Sequence, residues 1–152
     1  MDVGELGGLL SRLIQTCREG ERGFHAAAQA VRDAEVLALL ASYRDERAVF
    51  VAELLAAARR FGNPEVGGLS AGAPLHRGWM HLPAAITGDD GAVLNAAEAG
   101  EAWALDRYQE ALTLRLPPDL RALLERQAGQ IRHSHSTIRL FATTQLEAPF
   151  TA

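Results

Sequence analysis

The sequence predicts an all-α fold, two antiparallel helix hairpins joined by a long crossover, and three observations carry that prediction. Apolar residues recur at helical spacing through four segments of roughly 21 to 30 residues, and no stretch alternates as a half-buried strand would. The connections between those segments run short, long, short. Each joint carries Asp or Pro, the residues that cap or stop helices. A chain of 152 residues is long enough for one domain with a real core, which the pattern puts at residues 1–142, with 143–152 as a loose tail.

The first helix spans residues 3–31, with Leu6, Leu10, Leu13, Cys17, Phe24, Ala28 and Val31 inward and Glu21 on the same register. Arg32-Asp33 breaks the chain, and Asp33 is a good N-cap for a second helix over 34–61. That helix turns Val36, Leu40, Tyr43, Phe50, Leu54 and Phe61 inward, with Arg47 on the same stripe and Glu46 and Glu53 flanking it. Gly62-Asn63-Pro64 stops it. The long connection that follows carries a short helix over 75–88, interrupted by Pro83. Gly88-Asp89-Asp90 caps a third long helix over 92–112. Pro118 or Asp119 opens a fourth that runs to about Phe141, with Leu120, Leu124, Gln127, Ile131, Ser134, Ile138 and Phe141 inward and His135 beside the seam. Two hairpins joined by a crossover make a ferritin-like bundle rather than an up-down-up-down one, with the second and third long helices parallel.

The third long helix is the informative one. Its inward stripe reads Leu94, Glu98, Glu101, Leu105, Tyr108, Leu112, so two carboxylates and a phenol stand among leucines. A carboxylate buried alone is costly, and it needs a partner or a proton. Depth along the helices points to the partners, because every residue advances a helix by about 1.5 Å. Counted from the helix ends, Glu21 and Glu101 share a level, Arg47 lies within about a turn of it, His135 falls near Glu98, and Gln127 sits deeper. The expected result is a polar layer of Glu21, Arg47, Glu98, Glu101, Gln127 and His135, with Tyr108 completing its hydrogen bonds.

Composition removes several function classes. The net charge is −4, and all fifteen basic residues are Arg, with no basic stripe for nucleic acid or an anionic membrane. No apolar run approaches the roughly 20 residues of a membrane span. The first ten residues are acidic and Gly-rich, unlike a signal peptide, so a cytoplasmic location is expected. The single cysteine, Cys17, excludes an intrachain disulfide and reads as a small core residue, since no base is recognisably paired with it. No Gly-rich phosphate loop occurs.

The strings CREGERGFHAAA, ERAVFVAEL, LHRGWMHL, EAGEAWALDRYQEAL and LPPDLRALLERQ…HSTIRL resemble the bacterial family known as domain of unknown function 2383. The resemblance runs over roughly residues 6–141. It implies a ferritin-like four-helix bundle and kinship with some stress-associated proteins, but no settled activity. Gly20, Gly23, Phe24, Glu53, Glu98, Gly100, Glu101, Tyr108, Gln127 and His135 stand at positions that the resemblance marks as characteristic.

Three roles compete for the polar layer and the crossover. A carboxylate-bridged iron or manganese centre would draw on Glu21, Glu53, Glu98, Glu101 and His135, but such centres use Glu-x-x-His twice, and the chain has none. Arg132 stands three residues before His135, and Arg47 would place a positive charge beside any cation. The favoured role is structural: Glu21 or Glu101 pairs with Arg47, Gln127 and Tyr108 add hydrogen bonds, and the layer sets helix register without a cofactor or catalysis. The third role is interaction. Trp103 lies off the inward seam of the third long helix and Trp79 and Met80 lie on the connecting segment; the three are the expected partner surface of a homodimer, unless the crossover covers them.

Overall fold

A computed structural model describes residues 1–61 and 77–147. Among them the regular structure is helical throughout: α1 (Val3–Ala30), α2 (Ala34–Arg60), a single 3-10 turn at Arg77–Trp79, α3 (Leu82–Ala85), α4 (Asp90–Leu112) and α5 (Pro118–Glu147). Local chemistry accounts for the ends. Asp2 and Glu5 form a reciprocal capping box at the start of α1. Asp33 accepts the Glu35 and Val36 N–H groups at 2.9 and 3.0 Å, and Asp89 accepts the Ala92 N–H at 2.9 Å.

Two boundaries differ from the sequence reading. Pro83 does not interrupt the short helix but sits in the first turn of α3, where its missing N–H has no partner to lose. The fourth long helix does not end near Phe141. It continues to Glu147 and takes in the first five residues assigned to a loose tail, because 142–147 contain no Gly or Pro to stop it. The expected stop at Gly62-Asn63-Pro64, the start of the 75–88 segment with His76, and the remainder of the tail, 148–152, lie outside the described residues.

Helix polarity follows from two anchor points. The Asp90 carboxylate, at the start of α4, accepts the backbone N–H groups of Arg32 and Asp33, both at 2.9 Å. The start of α4 is therefore pinned to the α1–α2 turn. At the opposite end Arg60, closing α2, pairs with Asp119, opening α5. So α2 and α4 run parallel, and the chain leaves α2 at one end and enters α4 at the other, as the long middle connection requires.

The four long helices enclose two apolar clusters stacked end to end. One contains Leu10, Leu13, Ile14, Cys17, Phe50, Leu54, Tyr108, Leu124 and Ile131. The other contains Phe24, Leu40, Tyr43, Trp79, Leu82, Leu94 and Ile138. Along α1 the first cluster ends at Cys17 and the second begins at Phe24. On α2 they are separated between Tyr43 and Phe50, on α4 between Ala97 and Ala104, and on α5 between Ile131 and Ile138. One position per helix falls in the middle of that gap: Gly20, Arg47, Glu101 and Ser134.

Candidate functional site

Those four residues are the polar layer. Arg47 Nη2 pairs with Glu101 Oε1, and the Ser134 hydroxyl donates to Glu101 Oε2, so both carboxylate oxygens are engaged. Arg47 is 1% and Glu101 0% exposed. Arg47 Nη1 reaches outward to Glu46 at 3.1 Å. The guanidinium lies over Phe50 at 5.1 Å and Phe24 at 5.6 Å, one ring from each apolar cluster, which offsets part of its desolvation. Burial lowers the proton affinity of Arg47, but the Glu101 charge and hydrogen bond raise it further, so it stays a cation. Burial also pushes the half-buried Glu46 carboxyl up.

Gly20 explains how a guanidinium fits at this level. A Cβ there would lie 3.4 Å from three atoms of the Arg47 side chain, Cγ, Cδ and Nε. The arginine stem therefore fills the space that a side chain on α1 would take. Its Nε is buried against that helix with no hydrogen-bond partner.

One to two turns toward the first cluster lies a second polar group. The Tyr108 hydroxyl donates to Gln127 Oε1 at 2.7 Å and sits 3.1 Å from Cys17 Sγ. Gln127 Nε2 donates to Glu53 Oε1 at 3.2 Å, and Glu53 pairs with Arg126 at the surface. The group thus runs from α1 through α4 and α5 to α2. Burial pushes the Cys17 thiol up to about 11 and the Tyr108 phenol well above its ordinary value, so both are neutral at physiological pH. Cys17 is thereby a core thiol and not an activated nucleophile, because a thiolate is what reacts.

The sequence-predicted residues divide into three sets. Arg47 with Glu101, and Tyr108 with Gln127, come together as expected. Glu98 and His135 also meet, with Nε2 3.5 Å from Oε1, but at the edge of the α4–α5 face, where both side chains are partly exposed. Glu21 does not join the Arg47–Glu101 pair: it is half-buried, and no hydrogen bond among the described residues links it to either. The level was right and the rotation was not. One residue is about 100° around a helix, so Gly20 takes the inward place that the count assigns to Glu21. Ser134, inward on the α5 seam, reaches Glu101, while His135 beside it faces Glu98. The sequence reading put Ser134 on the seam without giving it a partner, and its place there was the available signal.

Trp79 is the clear correction to the expected partner surface. It is 2% exposed. Its indole lies between α1 and α4, edge-on to Phe24 at 5.0 Å. A Cβ added at Gly23 or at Gly100 would come within 2.3 Å of that ring, so the two glycines form the slot. Its place on the connecting segment put it outside in the sequence reading, yet the glycines on facing helices admit it. Met80 is 65% exposed, and Trp103 is half-buried with the Arg107 guanidinium 4.0 Å above its ring.

Do these residues fit a carboxylate-bridged metal pair? Among the described residues no three His, Cys, Asp or Glu side chains gather closely enough to share an ion. Glu101 faces a guanidinium, Glu53 pairs with Arg126, and Glu98 points to His135 and Arg139. The five metal candidates are thus spread over separate groups, Glu21 included, and do not fit a two-metal centre.

Residues 8–114, well over half of the chain, match the family described as a domain of unknown function, DUF2383. The chain belongs to that family. The match takes in α1 to α4, so Gly20, Arg47, Glu101 and the Trp79 slot fall within it. Its end leaves α5 beyond the matched region, with Gln127, Ser134 and His135, which the sequence reading counts among or beside the characteristic positions of DUF2383. No curated protein matches the chain. No helix among the described residues is long and apolar enough to cross a membrane.

Proposed function

We propose that this DUF2383 chain is a bacterial, ferritin-like four-helix bundle of stress-associated type that acts without catalysis, and that its polar layer fixes helix register. The observation that supports this best is the state of Glu101. Both of its oxygens are engaged, one by a guanidinium and one by a hydroxyl. A carboxylate ligand to iron or manganese needs lone pairs free to face the ion, and here a positive charge stands in front of it. A buried ion pair of this kind contributes little net stability, but it penalises every alternative register in which either charge loses its partner. On the same reading the protein works in the cytoplasm as a homodimer, with exposed Met80 near the shared surface, and needs no nucleic acid or membrane.

Elemental analysis of the purified chain after exposure to iron, manganese and zinc tests the proposal. The expected outcome is no stoichiometric ion, and Glu101→Gln lowers stability while leaving metal content unchanged. One or two ions per chain, lost in Glu101→Gln, would replace this reading with carboxylate-bound iron or manganese in redox or storage chemistry.

A further inference from the structure

Where α1 packs on α4, on the first-cluster side of the polar layer, the two helices line a cavity of about 130 Å³. Arg12, Gln15, Thr16 and Glu19 line it from one face of α1, and Trp103 and Arg107 line it from α4, one turn apart. The two helices run antiparallel. Counted from the shared level of Gly20 and Glu101, Glu19 and Trp103 therefore stand at one end of the cavity and Arg12 and Arg107 at the other, about 10 Å away along α1. Glu19 is 3% exposed, and its carboxylate receives one long hydrogen bond, from Gln15 Nε2 at 3.4 Å. The Thr16 hydroxyl adds nothing, since it donates to the Arg12 carbonyl at 2.9 Å. Neither Glu19 nor Arg12 enters an ion pair among the described residues. Arg107 Nη2 reaches Glu110 at 2.7 Å, but its Nε is buried without an acceptor.

The cavity thus has a carboxylate short of donors at one end and guanidinium N–H groups short of an acceptor at the other, and groups left so cost free energy. A lone metal ion does not suit it, because one carboxylate would hold the ion against two guanidinium charges. A lone anion would face Glu19. A ligand with both charges answers both ends. We propose that this cavity binds a small zwitterion, an ω-amino acid whose ammonium and carboxylate are separated by a short methylene chain. The ammonium meets Glu19, the carboxylate meets Arg12 and the Nε–H of Arg107, and the methylenes lie along Trp103. An α-amino acid carries both charges on neighbouring carbons and reaches only one end. The site is separate from the Arg47–Glu101 layer, and binding there needs no catalysis.

Isothermal titration calorimetry of the full chain with 4-aminobutyrate in low-salt buffer tests the proposal. The expected result is saturable binding, one molecule per chain, with a Kd of about 1 mM or tighter. Glycine, acetate and methylammonium, which each satisfy one end, should bind at least about tenfold more weakly. Glu19→Gln keeps the side chain's shape and removes its charge, and it should weaken 4-aminobutyrate binding at least about tenfold. Arg12→Gln, at the exposed end, should do the same, and it keeps the test decisive if circular dichroism shows that Glu19→Gln does not fold. Glu125→Gln, on the exposed surface of α5, should leave binding unchanged. No saturable heat up to about 20 mM 4-aminobutyrate overturns the proposal. So does acetate binding as tightly as 4-aminobutyrate, which would make this a simple anion pocket. Undiminished binding in Arg12→Gln and in a folded Glu19→Gln also overturns it, because the ligand would then sit elsewhere.

Discussion

The buried Arg47–Glu101 pair makes a quantitative prediction about what holds the middle of the molecule. Arg47→Met removes the cation and leaves the Glu101 carboxylate, 0% exposed, with only the Ser134 hydroxyl. An ion buried without its counter-charge costs about 3–5 kcal/mol, a large part of the roughly 5–15 kcal/mol that holds a domain of this size. At a typical urea dependence of about 2 kcal/mol per molar, the unfolding midpoint should fall by about 2 M. Adding Glu101→Leu should restore most of it, because every group the pair touched has somewhere to go. Ser134 keeps its 3.0 Å hydrogen bond to the Ile131 carbonyl, the partly exposed Glu46 turns to water, and the methionine sulfur packs between Phe24 and Phe50 in place of the guanidinium. The double variant should unfold within about 1 kcal/mol of the parent, a coupling of several kcal/mol between the two sites. Urea unfolding followed by circular dichroism at 222 nm, with the slope unchanged, measures all three. A double variant that loses as much as the sum of the two single changes would refute the reasoning, because the pair would then be a net source of stability and not a device for register.

Gly23→Ala or Gly100→Ala drives a methyl group into the Trp79 ring and should lower stability by at least about 1–3 kcal/mol, with a red shift in tryptophan emission as the indole leaves its slot; an unchanged spectrum and midpoint would contradict the slot. Tyr108→Phe strands Gln127 Oε1 and the Cys17 thiol inside the first cluster and should cost about 1–3 kcal/mol in urea unfolding, against near-neutrality if the phenol were merely apolar filler. Stability should fall as pH rises from about 9 to about 11. The unfolded chain releases the Cys17 proton near the ordinary thiol value, while the folded chain holds it to about 11, so the unfolded state binds fewer protons over that window and is favoured there by up to about 2–3 kcal/mol. Cys17→Ala should flatten that fall in a pH series of urea midpoints, though the residual slope from Tyr108, whose phenol is raised by burial, should remain.

Much of the fold is legible in the chain because its causes are local. Helical periodicity locates the four long helices, and Asp33 and Asp89 cap the starts of α2 and α4 as their side-chain chemistry requires. Even the level of the polar layer can be counted, since the rise per residue is the same in every helix and depths add along the chain. The partners within that level are another matter. A step of one residue turns a side chain by about 100°, which is finer than an apolar stripe can resolve, and so Gly20 holds the place that the count assigns to Glu21, while Ser134, on the seam as read, takes a partner that the stripe does not name. Tertiary structure alone decided these, along with the burial of Trp79. The arginine and the indole each occupy a volume that exists only once two helices face each other with glycine at the contact. That vacancy belongs to the pair of helices and is written in neither one alone.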